Sequence, residues 1–244
     1  MSLIMASHQP HFFPWLGYLD KMAKADLFAI NDIVQPVAKS GIVRNKILTA
    51  SGEEQYIGVN VVKKGLADIA IKDLLISDMT ATRNAVLGRI KSAYRLTPFF
   101  KDIYPRIEKI LSPEYEKVID LDMATVNLLR ELFEISTPLI FHSEMNLSGL
   151  GDNKSENLIK KCLSQNADIY LSGVGARKYI EPEKFAENNV TLIFQDFEYP
   201  TYPQKNSVSF VPNLSSIDIL FNCGVSEAKR IFWQNVNKNN KTKI

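Results

Sequence analysis

The fold is decided by the stretch Ser7-His8-Gln9-Pro10-His11-Phe12-Phe13-Pro14-Trp15-Leu16-Gly17-Tyr18. An apolar run at residues 3–6 precedes it, and a helix-like run at 19–25 and a second apolar run at 27–30 follow it. Strand, loop, helix and strand in this order are typical of the start of a parallel sheet. Ligands of such sheets gather where the first strand leads into its helix. The loop carries two of the three histidines of the chain and is therefore the first candidate site.

Length and composition are those of an ordinary globular protein. The chain has 244 residues, of which 45% are hydrophobic and 23% are charged, and this suffices for a full core. We expect a single domain over residues 1–244, with a helical insertion at about 71–135. The net charge of +2 gives no electrostatic support for binding nucleic acid.

Cysteine usage and hydropathy narrow the class of protein further. Cys162 and Cys223 lack the spacing of metal ligands or of a disulfide framework, so we expect a reducing, cytoplasmic environment. The sequence contains no run of ~18 apolar residues and no signal peptide, so we expect no insertion into a membrane. The sequence leaves the oligomeric state open.

Strand and helix patterns alternate along the rest of the chain. Helical spacing predicts a first helix at 13–25 and a last one that starts near Ser215 and ends at Gly224. The runs at 43–48 and 55–61 predict a hairpin. Further strands are predicted at 28–30, 139–141, 169–171 and 190–194. Together they predict an α/β fold: a mainly parallel, Rossmann-like sheet with helices on both faces.

His8 and His11 are the candidate catalytic residues. A histidine has an ordinary pKa near ~6.5, so it can donate a proton or carry positive charge beside an anion near neutral pH. Two of them beside a helix N-terminus would suit a phosphate or carboxylate. The alternative is that His8 bonds to the backbone and His11 is a solvated loop residue. No metal is predicted, because zinc needs three or four ligands and no ligand spacing is present.

Three further clusters carry polar or glycine residues in suggestive places. Asp32 and Gln35 follow the second strand, and Arg44 offers a forked donor for an anion, or else a surface ion pair. The Gly173-x-Gly175 turn follows a predicted strand and would let backbone N–H groups approach a ligand. A long aromatic loop after the last strand contains Tyr202 and Gln204. Each cluster also fits a purely structural role.

Several blocks of the sequence resemble the WbqC-like protein family. They are Gln9-Pro10-x-x-Phe13-Pro14-Trp15-x-Gly17-Tyr18, Asp32-x-Val34-Gln35, Arg44-Asn45-x-Ile47, Leu171-Ser172-Gly173-x-Gly175-x-x-x-Tyr179, Tyr202-x-Gln204 and Leu214-Ser215-x-x-Asp218-x-Leu220-Phe221-Asn222-x-Gly224. The blocks occur in family order and span nearly the whole chain. One departure is Ile33, since the family often has a second acid there, and a paired carboxylate or metal role at this place is therefore in doubt.

The resemblance implies a bacterial protein of O-antigen or surface-polysaccharide assembly, with a suggested glycine transferase role. The candidate binding residues for substrate or nucleotide come from these blocks. They are Gln9, Trp15, Gly17, Tyr18, Asp32, Gln35, Arg44, Asn45, Ser172, Gly173, Gly175, Tyr179, Tyr202, Gln204, Ser215 and Asp218.

The segment around Phe13 to Tyr18 also resembles the His-x-Gly-His element of nucleotidyltransferases and pantothenate synthetases. Trp15 and Tyr18 stand where those enzymes have histidines, and His8 and His11 would take over the phosphate contacts. The fold could then be nucleotidyltransferase-like.

The two resemblances together favour an acyl or aminoacyl (glycyl) transferase acting on an amino-sugar precursor through an adenylate. The alternatives are a nucleotidyltransferase that makes an activated sugar, and a non-catalytic module that binds a sugar nucleotide or glycan. The expected partner is a small molecule. The cofactor stays open, with ATP or a sugar nucleotide, and Mg²⁺ with it, as candidates.

Overall fold

The computed structural model describes residues 2–37, 40–63, 65–66, 68–145 and 147–238. The strands in chain order are β1 Ile4–His8, β2 Leu27–Ile30, β3 Arg44–Leu48, β4 Glu54–Gly58, β5 Leu139–Phe141, β6 Ile169–Ser172 and β7 Thr191–Phe194. Five of them form one sheet in the order β5-β2-β1-β6-β7, with every neighbouring pair parallel. The other two, β3 and β4, form the antiparallel hairpin that the sequence predicted.

Helices cover both faces of this sheet. They are α1 Leu16–Ala23, α2 Met79–Tyr94, α3 Phe100–Leu111, α4 Val118–Phe133, α5 Lys154–Ser164, α6 Pro182–Glu187 and α7 Ile217–Lys238. Short 3₁₀ turns occur at Ile71–Asp73, His142–Glu144 and Val174–Lys178. The prediction of an α/β, Rossmann-like fold is confirmed. Helices α2 to α4 all lie within the segment 71–135. Within the described residues, no helix combines the length and the apolar character needed to cross a bilayer.

Alternation along β1 divides the core into two parts. Ile4 and Ala6 belong to a large core formed with α1, α2, α3, α4 and α7. Met5 points to the opposite face and belongs to a smaller core with α5 and α6. Because successive side chains of a strand face opposite sides, both faces of β1 are covered. The last two residues, Ser7 and His8, therefore reach the carboxyl edge of the sheet on different faces.

The first helix begins three residues later than its sequence pattern predicted. Phe13 has a φ of 43°, in the left-handed region, and the chain is extended at Trp15, so α1 starts at Leu16. The N–H of Phe13 donates to Oγ1 of Thr125 at 2.9 Å, and Nδ2 of Asn45 donates to the Phe13 carbonyl oxygen at 2.7 Å. These bonds from α4 and β3 compensate for the unfavourable backbone conformation. Residues 9–15 are thus an ordered loop, which we call the histidine loop.

The helix predicted from near Ser215 does end at Gly224, but it is not the last helical segment of the chain. The chain leaves helical geometry there, with φ 74° and ψ 170°, and then resumes a helix up to Lys238. A Cβ at this position would lie 2.6 Å from the ring of Phe99. Gly224 therefore ends the first helical segment of α7 and lets the chain pass closely over Phe99 before the second segment begins.

Gly224→Ala should lower the free energy of unfolding by about 1–3 kcal/mol, because only glycine adopts this conformation without strain. Gly88→Ala is the matched control, since Gly88 lies exposed in α2 and its added Cβ would meet nothing within 4 Å. That change should stabilise the protein by about 0.5–1 kcal/mol. Urea unfolding of the two variants measures both effects, and equal behaviour would contradict the assignment.

Candidate functional site

The strand order reverses between β1 and β6, and this reversal locates the candidate site. From β1 the chain passes to β2 on one side, whereas from β6 it passes to β7 on the other side. Connections that leave in opposite directions open a crevice at the carboxyl ends of the two strands, where open parallel sheets bind their ligands. His8 ends β1 and Gly173 follows β6, so both lie at this crevice.

His8 and His11 lie together beside the ring of Tyr18. The centroids of the two imidazoles are 4.7 Å apart, and each is 5.0 Å from the centroid of the Tyr18 ring. Nδ1 of His8 lies 3.1 Å from the carbonyl oxygen of Gln9, to which it can only donate. Neutral His8 therefore keeps its lone pair on Nε2. Nδ1 of His11 is buried and has no hydrogen-bond partner among the described residues.

The ring of His11 packs tightly against the loop that precedes β3. The N–H of Phe12 donates to the carbonyl oxygen of Gly41 at 2.9 Å, which joins the histidine loop to this segment. A Cβ on Gly41 would lie only 2.4 Å from the His11 ring. Together with the bonds to Phe13, these contacts hold the histidine loop and the ring of His11 in place.

Lys21 brings a positive charge to the same crevice. Its side chain is buried, and its Nζ donates to the carbonyl oxygen of Ser7 at 2.9 Å. A Cβ on Gly173 would lie 3.9 Å from Nζ, so the ammonium also lies next to the end of β6. No carboxylate forms an ion pair with Lys21 in the described part of the chain. The site therefore has a buried cation that lacks a counter-ion.

Burial sets the protonation of these three groups. It lowers the pKa of Lys21 to about 7. Burial first, and the Lys21 ammonium second, lower the pKa of His11 to about 4 and hold the pKa of His8 well below its ordinary value. Both imidazoles are therefore neutral at pH 7, whereas Lys21 is partly protonated. An anion bound here would lie beside one positive charge, and a neutral imidazole could accept a proton released by a substrate.

A second polar cluster lies at the edge of the sheet near β2 and β5. The hydroxyl oxygen of Ser7 lies 3.1 Å from Nε2 of His142, and Nδ1 of His142 lies 2.8 Å from Oδ1 of Asn31. Burial first, and the Lys161 ammonium second, lower the pKa of His142 to about 3. The serine, imidazole and amide thus form one chain of hydrogen bonds around a neutral histidine.

Asp32 lies beside this chain. Its carboxylate accepts the backbone N–H of Ser143 at 3.0 Å and the Ser143 hydroxyl at 2.5 Å. Burial lowers the pKa of Lys161 to about 8, and the carboxylate of Asp32 opposes that shift. A pocket of about 490 Å³, which Lys72 and Lys117 also line, opens at Asp32 and Ser143. Asp32 thus lies beside the turn after β5, and its role in binding stays a prediction.

The indole of Trp15 packs over Gly17 and holds the start of α1. A Cβ on Gly17 would lie 2.0 Å from the Trp15 ring, so the indole covers the glycine. The indole also contacts Phe197 and Tyr199, with centroid distances of 5.4 and 5.7 Å. The carbonyl oxygen of Gly17 accepts from Nε2 of Gln195 at 2.8 Å. These contacts explain both residues structurally.

The motif residues near the C-terminus meet at one buried carboxylate. Asp218 accepts hydrogen bonds from Tyr94, Tyr202 and Gln204 at 2.8–2.9 Å. Burial raises the pKa of Asp218, and these three donors oppose the rise. Ser215 is also buried, and its N–H donates to the carbonyl oxygen of Lys46. The network joins α2, α7 and the loop after β7, and such a network fixes element positions.

Four other predicted residues lie at or near the surface. The Arg44 guanidinium stacks over the ring of Tyr56 at 4.1 Å. Gln35 and Gly175 are exposed, and Tyr179 is half exposed with the ammonium of Lys154 over its ring. Their roles in binding stay predictions.

Ser172, in contrast, is buried at the end of β6, and its hydroxyl lies 3.4 Å from the carbonyl oxygen of Gly173.

Sequence reasoning missed Lys21, Lys161 and the bonding of His142. A signal existed for the two lysines, because each lies on a short helix between two strands of the sheet, where most positions become buried. A charged residue in such a helix is either paired or functional. No sequence signal could have paired His142 with Ser7, since 135 positions separate them. Among the described residues, no group of three or more His, Cys, Asp and Glu is arranged to hold a metal ion.

Fold and site together define a parallel α/β protein of the Rossmann type with a polar crevice where the strand order reverses. The model of the WbqC-like protein family matches residues 9–230, nearly the whole chain, and the chain belongs to this family. It is similar to the uncharacterized protein Rv1507c of Mycobacterium tuberculosis, with 31% identity over 218 residues, 88% of this chain and 92% of that protein. No solved structure matches significantly.

His142→Gln should reduce the loss of stability in mild acid. The imidazole has a pKa of about 3 when folded and 6.5 ordinarily, so the unfolded chain binds more protons between these values. Stability is therefore fully present above about pH 6.5 and decreases as the pH falls. From pH 7 to pH 5 this histidine alone should cost about 2 kcal/mol. Urea unfolding at both pH values measures the difference, and parallel losses in wild type and variant would contradict it.

Proposed function

We propose that the protein is an acyl or aminoacyl transferase, of the glycyl type, acting on an amino-sugar precursor of a surface polysaccharide such as O-antigen. The observation that carries this proposal is the buried Lys21 ammonium beside two neutral imidazoles at the reversal of strand order. Family membership supports the biological setting. The acyl group would arrive activated, as an adenylate formed from ATP.

The charges of the crevice suit an activated acyl group. An adenylate carries a phosphate next to the acyl carbon, and an unpaired buried ammonium gains stability when an anion lies beside it. Lys21 also lies near Gly173, whose missing side chain leaves the end of β6 open to close approach. The phosphate of the donor is therefore assigned to the space between Lys21 and the turn after β6.

The imidazoles suit the transfer step. The amine of the sugar attacks the acyl carbon, a C–N bond forms and the C–O bond to the phosphate breaks. The proton released by the amine passes to Nε2 of His8, whose Nδ1 proton is held by the Gln9 carbonyl oxygen. The negative charge of the leaving phosphate is stabilised by Lys21, with His11 on Tyr18 closing the site from the side.

Lys21→Met and His8→Gln should each lower amide formation by about 100-fold or more, as removal of one charge-stabilising or proton-accepting group typically does. The reaction contains ATP, glycine and a UDP-amino sugar, and mass spectrometry measures the amide and AMP. Lys91→Met is the control, because Lys91 is an exposed lysine of α2.

Other outcomes would replace the proposal. Unchanged amide formation in both site variants would remove Lys21 and His8 from the mechanism. Pyrophosphate release that needs a sugar phosphate but no glycine would select the nucleotidyltransferase instead. Measurable binding of a sugar nucleotide, seen as a higher melting temperature with all substrates left intact, would select the binding module.

A further inference from the structure

The hydrogen bonds of Ser7, His142 and Asn31 have a defined direction. Oδ1 of Asn31 can only accept, so Nδ1 of His142 carries the proton that joins them at 2.8 Å. Nε2 of the neutral ring then has the lone pair, and the Ser7 hydroxyl donates to it at 3.1 Å. A hydroxyl that donates to an imidazole, which a third group orients, is the arrangement of an activated nucleophile.

Ser7 also lies at the carboxyl edge of the sheet, where the crevice opens. It precedes His8 in β1, and its own carbonyl oxygen accepts the bond from Lys21. The N–H of Asn31 donates to the carbonyl oxygen of His8 at 2.8 Å, which links the two polar clusters through the backbone. The backbone of Ser7 is thus bonded to Lys21, and its hydroxyl lies on the face of the sheet that carries His142.

We propose that Ser7 is a covalent nucleophile that carries the acyl group, with His142 as its base and Asn31 as the residue that positions His142. This inference rests on the proposed acyl-transfer function and replaces its single displacement by two successive ones. The Ser7 oxygen attacks the acyl carbon of an activated donor, its C–O bond forms and the bond to the leaving group breaks. The hydroxyl proton moves to Nε2 of His142. His142 then passes this proton to the leaving group. An amine next attacks the ester, a C–N bond forms and the C–O bond to Ser7 breaks, while His142 takes the proton released by the amine and gives it to the Ser7 oxygen.

Asn31, the third member of the hydrogen-bond chain, restricts the acyl donors that Ser7 can use. Asn31 is uncharged, so it orients the ring without the gain in basicity that a carboxylate gives. Burial and Lys161 keep the pKa of His142 low, which makes the imidazole a weak base. Such a nucleophile needs a good leaving group, as in an acyl adenylate or a thioester, and it does not cleave ordinary amides.

Ser172 provides a matched control within the same sheet. Ala6 of β1 pairs with Leu171 of β6, and Ser7 and Ser172 are the next residues of the two parallel strands. The two serines therefore occupy equivalent positions. Both are buried, with 7% and 2% of their surface exposed. The Ser172 hydroxyl contacts a backbone carbonyl oxygen and not an imidazole. Chemistry that depends on the hydrogen-bond chain should therefore distinguish the two serines.

A fluorophosphonate probe tests the proposal without any physiological substrate. The serine oxygen displaces fluoride from phosphorus, and the adduct is located by peptide mass spectrometry of the folded and of the urea-unfolded chain. We expect one adduct per folded chain at Ser7, none at Ser172, and none in Ser7→Ala or the unfolded chain. His142→Gln should slow labelling by at least about 100-fold.

Asn31→Asp separates an active hydrogen-bond chain from a merely structural one. A carboxylate at this place keeps the acceptor for Nδ1 and makes the imidazole more basic, so labelling should become several-fold faster. A structural bond would not change the rate in that direction. The proposal would be overturned by absent labelling or by equal labelling of Ser7 and Ser172. It would also be overturned if neither His142→Gln nor Asn31→Asp changed the labelling rate.

The two proposals fail separately. An adduct at Ser7 in a protein that forms no amide would keep the nucleophile and remove the glycyl transferase. Full amide formation by Ser7→Ala would keep the transferase and remove the covalent step.

Discussion

The hydrogen bond from Nζ of Lys21 to the carbonyl oxygen of Ser7 is the interaction on which the site depends. It joins the first helix to the end of the first strand and keeps an ammonium at the sheet edge in a buried place. Burying a charge without a counter-ion is costly, typically by several kcal/mol. Burial is the main cause of the low pKa values of His8 and His11, and this charge lowers both further. Lys21 thus contributes both to the charge and to the geometry of the crevice.

A second lysine of the same helix shows what a structural role would require. Lys24, three positions further along α1, is equally buried, but it pairs with the carboxylate of Asp20 at 2.9 Å. It also donates to the carbonyl oxygen of Asp196, and Gln195 donates to Asp20. Lys24 therefore has the partners that a buried charge needs for stability. Lys21 has one carbonyl oxygen and two neutral rings, a setting that favours an incoming anion.

The sequence predicted the fold well because the pattern that makes a parallel sheet is local. Short apolar runs separated by helical spacing predicted the five strands and the hairpin, and each is present within a few residues. The ends of elements were less predictable where tertiary contacts decide them. Phe13 delays α1 because Thr125 and Asn45 hold it, and Gly224 breaks α7 because Phe99 lies against it. Neither contact is visible in the neighbouring sequence.

The candidate site was predictable only in part. His8 at the end of β1 and His11 in the histidine loop stood out by composition, and the two imidazoles do lie together at the carboxyl edge of the sheet. Tyr202, Gln204 and Asp218 stood out equally, yet they bond to one another and to Tyr94 in the interior. The sequence of a polar motif does not show whether its side chains bind a ligand or bond to one another in the interior. The groups that surround Lys21 and His142 come from distant segments of the chain. The sequence alone therefore could not identify these two residues as part of the candidate site.

The contact between Gly41 and His11 has a consequence for the family as a whole. Any side chain at position 41 would occupy the volume of the imidazole, so the two positions cannot vary independently. A homologue with a larger residue at the place of Gly41 must have moved or replaced its second histidine. This pair of positions can therefore sort aligned members into those that retain the histidine arrangement and those that have diverged from it.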